Sequence, residues 1–310
     1  MQPDTSIPRE PQRRQQMGFL YLPPYRVQGV SIAGEETCVQ VPELDVAFDI
    51  GMVPRPALAC KYVALSHGHM DHSAGISYYY SQRNFQGMGT GTILCPTAIA
   101  PAIHNVMKAW IDLESQRTPY EVIAMEPEQE VEIKNHIHLR AFETKHTVPS
   151  LGYVAIERRS KLKPELAGLP QEKLIERKNA GETITMTLEV PLVCYTGDTM
   201  WGPHFDRADV LGAKILIVEC TFVEPGDAHR AAVGQHLHLN DIARLVEKST
   251  AEAIVLTHLS RRTHLGQVKR QIEEVIPAKD QGRVFILMDG RANRARLDEQ
   301  RGPVPGPEEE

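Results

Sequence analysis

The sequence has no apolar run approaching the roughly 20 residues that a membrane-spanning helix needs. Its opening stretch, MQPDTSIPREPQRRQQ, holds no apolar core, so a secretory leader is not expected and a cytoplasmic location is. Cysteine is sparse: Cys38, Cys60, Cys95, Cys194 and Cys220 are odd in number and have no CxxC spacing. They read as reduced thiols that pack as small hydrophobes, which leaves neither a disulfide framework nor a cysteine-based metal knot. There is no GxSxG elbow for a serine hydrolase and no glycine-rich phosphate loop. Basic charge is not in excess either. The net charge of −6 excludes a broadly cationic nucleic-acid binder, although a local basic patch or a bound metal can still attract phosphate.

What is present is a long series of strand signals. Residues 18–65 carry β-branched runs such as VQGVSIAG, ETCVQVP and DVAFDIG, broken by turn residues. Further strands are expected at TILCP, EVIAM, VEIKNHIHLRAFET, GYVAIER, TITMTLEVPLVCY, AKILIVE, AEAIVLT and RVFILMD. Helices are expected over SAGISYYYSQRNF, from Thr97 to about Asp112, from Asn240 to about Glu247, and over VKRQIEEVIP. Strands with a helix, then strands with helices again, fit two packed sheets flanked by helices. The boundaries expected are a disordered tail at 1–17, one domain at 18–290 and a second disordered tail at 291–310. Within the domain, 158–182 reads as an inserted loop or arm. Its cations Arg159, Lys161, Lys163, Lys173, Arg177 and Lys178 suit either a solvated loop or a clamp on a phosphate backbone.

The densest chemical signal is LSHGHMDH, which places His67, His69, Asp71 and His72 just past an apolar strand. Imidazole and carboxylate are the ligands that a borderline divalent ion such as zinc prefers. Three more ligand-type residues follow predicted strands: His146 in FETKHTVPS, Asp198 in CYTGDT and His258 in VLTHLS. A polar group just past a buried strand stands at the rim of a sheet, where sites are built. Arg261 and Arg262 follow His258 closely enough to contact an anionic substrate, against the alternative of surface ion pairing.

The order HxHxDH…H…D…H resembles the metallo-β-lactamase superfamily over about Asp49 to Asp289. The resemblance implies an α/β fold, a four-layer αββα sandwich, with two metals at one sheet edge. It implies His67, His69 and His146 on one metal, Asp71, His72 and His258 on the other, and Asp198 bridging. SQRNFQG, HTVPSLGY, ECTF and THLSRR are similar to the ribonuclease Z branch, which processes transfer-RNA 3′ ends. That branch implies a homodimer and an RNA or small phosphodiester substrate; no membrane partner is expected, since no apolar run is long enough to span one. It also implies a carboxylate–histidine pair, with Glu219 and His238 the nearest equivalents here and His236 an alternative partner. A carboxylate orients an imidazole and raises its pKa, which suits it to protonate a leaving oxygen.

The expected function is a dinuclear metal-dependent phosphodiesterase, with a lactone or thioester hydrolase on the same scaffold as the alternative. Zinc is the first expectation, and manganese or iron accept the same N and O ligands. Two metals sharing a water lower its pKa towards about 7, and Asp71 would orient the resulting hydroxide. Asp71→Ala is therefore expected to abolish turnover and to lower occupancy of at least one metal. Elemental analysis of the purified variant checks this, and retention of both metals would refute the assignment.

Overall fold

The computed structural model describes residues 17–302. The first sheet comprises β1 (Gly18–Leu22), β2 (Tyr25–Ile32), β3 (Glu36–Val41), β4 (Val46–Phe48), β5 (Tyr62–Ala64), β6 (Thr92–Pro96) and β7 (Glu121–Met125). The second comprises β8 (Glu130–Lys134), β9 (Ile137–Glu143), β10 (Leu151–Leu162), β11 (Thr185–Tyr195), β12 (Ile215–Glu219), β13 (Ala253–Thr257) and β14 (Val284–Ile286). Strands lie in chain order within each sheet. The pairings repeat as well: three antiparallel pairs come first in each sheet, then three parallel ones.

The parallel strands β12 and β13 are buried at every position, as expected where both faces of a sheet are covered. Helices provide that cover. In chain order they are α1 (Met70–Ser73), α2 (Ile76–Phe85), α3 (Ala100–Glu114), α4 (Gln171–Asn179), α5 (Ala208–Leu211), α6 (Ala228–Gly234), α7 (Leu239–Lys248), α8 (Leu265–Val275), α9 (Ala278–Gln281) and α10 (Gly290–Arg301). One apolar core fills the space between the sheets, with Leu44, Phe48, Leu139, Tyr153 and Val255 among its members. A second joins the outer face of the second sheet to α7 and α8 through Leu216, Ile254, Ile242, Leu245 and Val268. A third joins the outer face of the first sheet to α2 and α3 through Val63, Tyr79, Tyr80, Ile103 and Met107. The result is the expected αββα sandwich. No described helix is long and apolar enough to cross a membrane.

Several local expectations are corrected. Of the two forms expected for 158–182, loop or arm, the segment takes the form of an arm, the end of a ribbon. β10 and β11 stay paired out to Leu162 and Thr185, with α4 between them. Ion pairs such as Arg158–Glu189 and Arg177–Glu182 engage some of its cations with neighbouring acids. The expected C-terminal tail is helical as far as Arg301. Asp289 caps α10 by accepting from the Ala292 N–H, and the Asn293 amide donates to the Ile286 and Leu287 carbonyls. Polar anchoring, not apolar content, orders this helix. Residues 1–16 and 303–310, expected as tails, lie outside the described residues. Thr97 starts a 3-10 turn before α3 and donates to the Met125 carbonyl instead of capping the helix. His136 sits in the β8–β9 turn with φ 62°, so it does not alternate with His138 along one strand.

Gly29 shows how tightly the first sheet is built. Its φ is +147°, and an added Cβ would lie 2.0 Å from the Cys38 carbonyl oxygen on the neighbouring strand. Gly29→Ala is expected to lower stability by about 3 kcal/mol through strain and overpacking. Denaturant unfolding measures this, and a change under about 0.5 kcal/mol, the usual range of a neutral surface substitution, would contradict it.

Candidate metal centre and its hydrogen-bonded support

The residues of the centre all follow strand C-termini. Asp49 follows β4, His67 β5, His146 β9, Asp198 β11 and His258 β13. Because β11, β12 and β13 run parallel, their ends reach one edge. Two of these residues, Asp49 (φ 59°) and His258 (φ 55°), hold left-handed backbone that is uncommon without glycine. Gly197 (φ +60°) lets the loop carrying Asp198 approach Ser66, where an added Cβ would come within 2.5 Å of the serine Cβ.

Two groups of ligand atoms result. In the first, His69 Nδ1 lies 3.0 Å from His67 Nε2 and 3.2 Å from His146 Nε2. In the second, His72 Nε2, His258 Nε2 and Asp198 Oδ2 are mutually 3.3 Å apart. Asp71 Oδ2 adds contacts of 3.4 Å to His258 and 3.6 Å to His72. Asp198 Oδ2 also reaches to 4.0 Å from His67 Nε2, between the two groups. Donor atoms bound at about 2.0–2.1 Å to one tetrahedral ion stand about 3.3 Å apart. The second group therefore has the spacing of a coordination shell, and both donor sets, nitrogen and carboxylate oxygen, fit a divalent ion.

The far side of each ring supports this. His67 Nδ1 faces Ser66 Oγ at 2.9 Å, His72 Nδ1 faces Asp49 Oδ2 at 2.7 Å, His146 Nδ1 faces the Gln235 carbonyl at 3.2 Å and His258 Nδ1 faces Thr221 Oγ1 at 2.9 Å. These acceptors assign the proton to Nδ1 in all four rings, so each Nε2 lone pair points inward. Asp49 is fully buried and accepts from the Ser66 N–H, the Ser66 hydroxyl, the Tyr195 hydroxyl and His72. Charge follows the same geometry. Burial, aided by the charge on His72, pushes His67 down to about 2. Burial opposes charge on His72 as well, but the carboxylates of Asp198 and Asp49 outweigh it and raise that ring. Burial also opposes ionisation of Asp198, and His258 and His72 overrule it, holding the carboxyl well below its usual range.

Comparison with known proteins follows this geometry. The Beta-lactamase superfamily domain matches residues 52–259. The tRNase Z TRZ1 of Arabidopsis thaliana is 33% identical over 86% of this chain and 96% of its own length. The chain belongs to the beta-lactamase superfamily, in its ribonuclease Z branch. The chloroplastic tRNase Z TRZ2 of the same plant is 31% identical over 88% of this chain and 78% of its own length. Among solved structures, the metallo-beta-lactamase fold protein YhfI of Bacillus subtilis shares the fold at 18% identity, covering 88% of this chain and 97% of its own, with a TM-score of 0.57. The short form of human tRNase Z does so at 15% identity, covering 88% and 96%, with a TM-score of 0.56.

In this ribonuclease Z-branch chain the carboxylate–histidine pair differs from the one first expected. Glu219 pairs with His236, whose Nδ1 is 2.9 Å from Glu219 Oε1, and not with His238. His238 is occupied as the N-cap of α7. Its ring accepts from the Asn240 N–H, its Nε2 donates to the Glu224 carbonyl, and Asp241 closes the capping box. Asn240, expected as the cap, lies inside the helix. Glu219 outweighs the burial of His236 and raises that ring to about 9. Glu219 also accepts from the Thr199 N–H and the Thr221 hydroxyl, and Thr221 links it to His258. Neither predicted arginine joins the cluster. Arg261 is paired with Glu35 on the β2–β3 turn, and Arg262 is exposed. Asp49 was not among the candidates, although a carboxylate closing the apolar run DVAFD was a signal for it.

Asp49→Ala would leave the Tyr195 hydroxyl, Ser66 and the His72 Nδ1–H without their acceptor. The expected cost is about 3–5 kcal/mol of stability and about 10–100-fold in metal affinity. Denaturant unfolding and metal titration read the two losses separately. Unchanged metal affinity would contradict the role given to this carboxylate.

Proposed function

We propose that this chain is a two-metal ribonuclease Z-type endonuclease that cuts an RNA phosphodiester at the 3′ trailer of a transfer-RNA precursor. Residues 18–290 act in this reading as one hydrolase domain. The observation that carries it is the Glu219–His236 pair standing against the two ligand groups, with His236 Nδ1 3.9 Å from Asp198 Oδ2. The 31–34% identical relatives are ribonuclease Z or tRNase Z enzymes by name, which favours an RNA phosphodiester over a lactone or thioester.

His67, His69 and His146 would hold one ion, Asp71, His72 and His258 the other, and Asp198 would bridge them. Nitrogen-rich ligands at near-tetrahedral spacing favour zinc over manganese or iron. When bound, the two ions would supply an activated water and offset charge on the phosphate oxygens. Asp71, fixed by the Gly34 N–H at 2.9 Å, orients the attacking group. His236, held through Nδ1 by Glu219, presents its other nitrogen to the leaving 3′ oxygen and gives it a proton. A homodimer and a cytoplasmic location belong to the same reading, and light scattering on the metal-loaded chain tests the former.

Metal-loaded protein is expected to release the trailer from precursor transfer RNA, and chelation to stop it. His236→Ala should lower kcat about 10²–10⁴-fold with both metals retained. His238→Ala should cost about 1 kcal/mol of stability as a lost cap and leave kcat within a few-fold. The reverse pattern would sink the pairing, and no cleavage of any RNA would sink the nuclease.

A further inference from the structure

The two ligand groups are not supported alike. Behind the rings of the second group stand carboxylates. His72 Nδ1 faces Asp49 Oδ2 at 2.7 Å, and Thr221, which faces His258 Nδ1, donates to Glu219 Oε2. A carboxylate behind a ligating imidazole fixes the ring and makes it a more basic ligand. His72 and His258 are buried, at 0% and 3% exposure. Asp198 Oδ2 leans towards them, 3.3 Å from each against 4.0 Å from His67. With Asp71, this group gathers two carboxylates and two rings.

The first group has weaker backing. His67 meets the Ser66 hydroxyl and His146 a backbone carbonyl, and both of these are neutral. Among the described residues nothing stands behind His69. Its Nδ1 faces the other two rings, and its Nε2 has no hydrogen-bond partner. His146 is placed through its chain neighbour instead. The Lys145 N–H donates to Thr199 Oγ1 at 3.0 Å, and the Lys145 carbonyl accepts from the Met200 N–H at 2.9 Å. Thr199 is fully buried, and its own N–H donates to Glu219 Oε1 at 2.7 Å. The same oxygen accepts from His236, and Gln235, just before it, offers its carbonyl to His146 Nδ1. The bonds close a ring through Lys145–His146, Gln235–His236, Glu219 and Thr199. Only one side-chain link in that ring, the Thr199 hydroxyl, can be removed without touching a proposed ligand or the proton-donating pair.

We propose that the two ions are held unequally: the ion on Asp71, His72 and His258 is retained, whereas the ion on His67, His69 and His146 exchanges, and the Thr199 hydroxyl is the positioning group that sets its hold. The proposal rests on the two-metal reading above and adds to it a site that responds to zinc supply.

The test takes full-length, metal-loaded protein through a graded series of zinc buffers, with bound zinc read by elemental analysis. Two steps of loss are expected, about 10–100-fold apart in free zinc. Thr199→Val should move only the weaker step, by about 10–100-fold to higher free zinc. Thr199→Ser, which keeps the hydroxyl, should match the unaltered protein. Unfolding temperature, measured alongside, confirms that each variant is folded. His146→Ala should erase the weaker step and leave the tighter one in place. His146 is half-buried, so this variant decides the assignment even where the buried Thr199→Val does not fold. RNA cleavage by the unaltered protein should follow the weaker step. Loss of both ions in one step, a tighter ion stripped by His146→Ala, or a Thr199→Val that moves both steps or neither would overturn the inference. So would Thr199→Ser behaving as Thr199→Val does. A protein that binds one ion at most would overturn the two-metal reading and the inference with it. Zinc steps as expected without any RNA cut would overturn the nuclease alone.

Discussion

The centre depends on one buried carboxylate. Asp49 follows β4 in the first sheet and accepts from Tyr195, the last residue of β11 in the second. Its remaining capacity goes to Ser66 and His72, on either side of the histidine run. An isolated carboxylate buried this deeply would be strongly unfavourable, and hydrogen bonds to a charged group contribute about 1.5–3 kcal/mol each. Four donors make the burial tolerable and turn it into a constraint. Asp49 cannot shift without stranding groups in both sheets, so the sandwich and the ring orientation of His72 are fixed together.

From that point the support spreads outward by pairs. Ser66 passes the constraint to His67, and Thr221 passes it from Glu219 to His258. Glu219 is itself 1% exposed, so it too is a buried carboxylate whose position is set by donors on several segments, Thr199, Thr221 and His236. The two carboxylates have the same relation to the rings but different outlets. Asp49 faces only protein, whereas Glu219 leads through His236 to the open side. In the proposed reading a support and a proton-donating pair are thus built from the same chemistry, and exposure alone separates them.

Much of this was legible in the sequence, for a physical reason. Ligands that follow apolar strands announce themselves, because the strand fixes where the next polar side chain must stand. His67, His146, Asp198 and His258 all follow that rule, and the structure brings them together. His236 and His238 were harder. They are two residues apart, both are imidazoles, and which one meets Glu219 depends on where α7 begins. A histidine accepting from a helix N-terminus is an uncommon cap, so Asn240 looked the better one. The helix at 290–301 was missed because apolar content was taken as the measure of order, while Asp289 and Asn293 anchor it through backbone groups. The outer ribbon of β10 and β11 has no buried face to impose a hydrophobic alternation, which left only its charges visible.

The repeated strand order has a consequence for the time course of synthesis. The first sheet is complete by Met125, and it already carries His67, His69, Asp71 and His72. His146, Asp198 and His258 emerge from the ribosome later and only with the second sheet. A nascent chain therefore displays four of the seven proposed ligand groups before anything can close them into a shell, and Tyr195 has not yet reached Asp49. In the two-metal reading proposed above, tight capture of ions would wait for the two halves to dock, and the last strands to be made would decide when the centre is loaded.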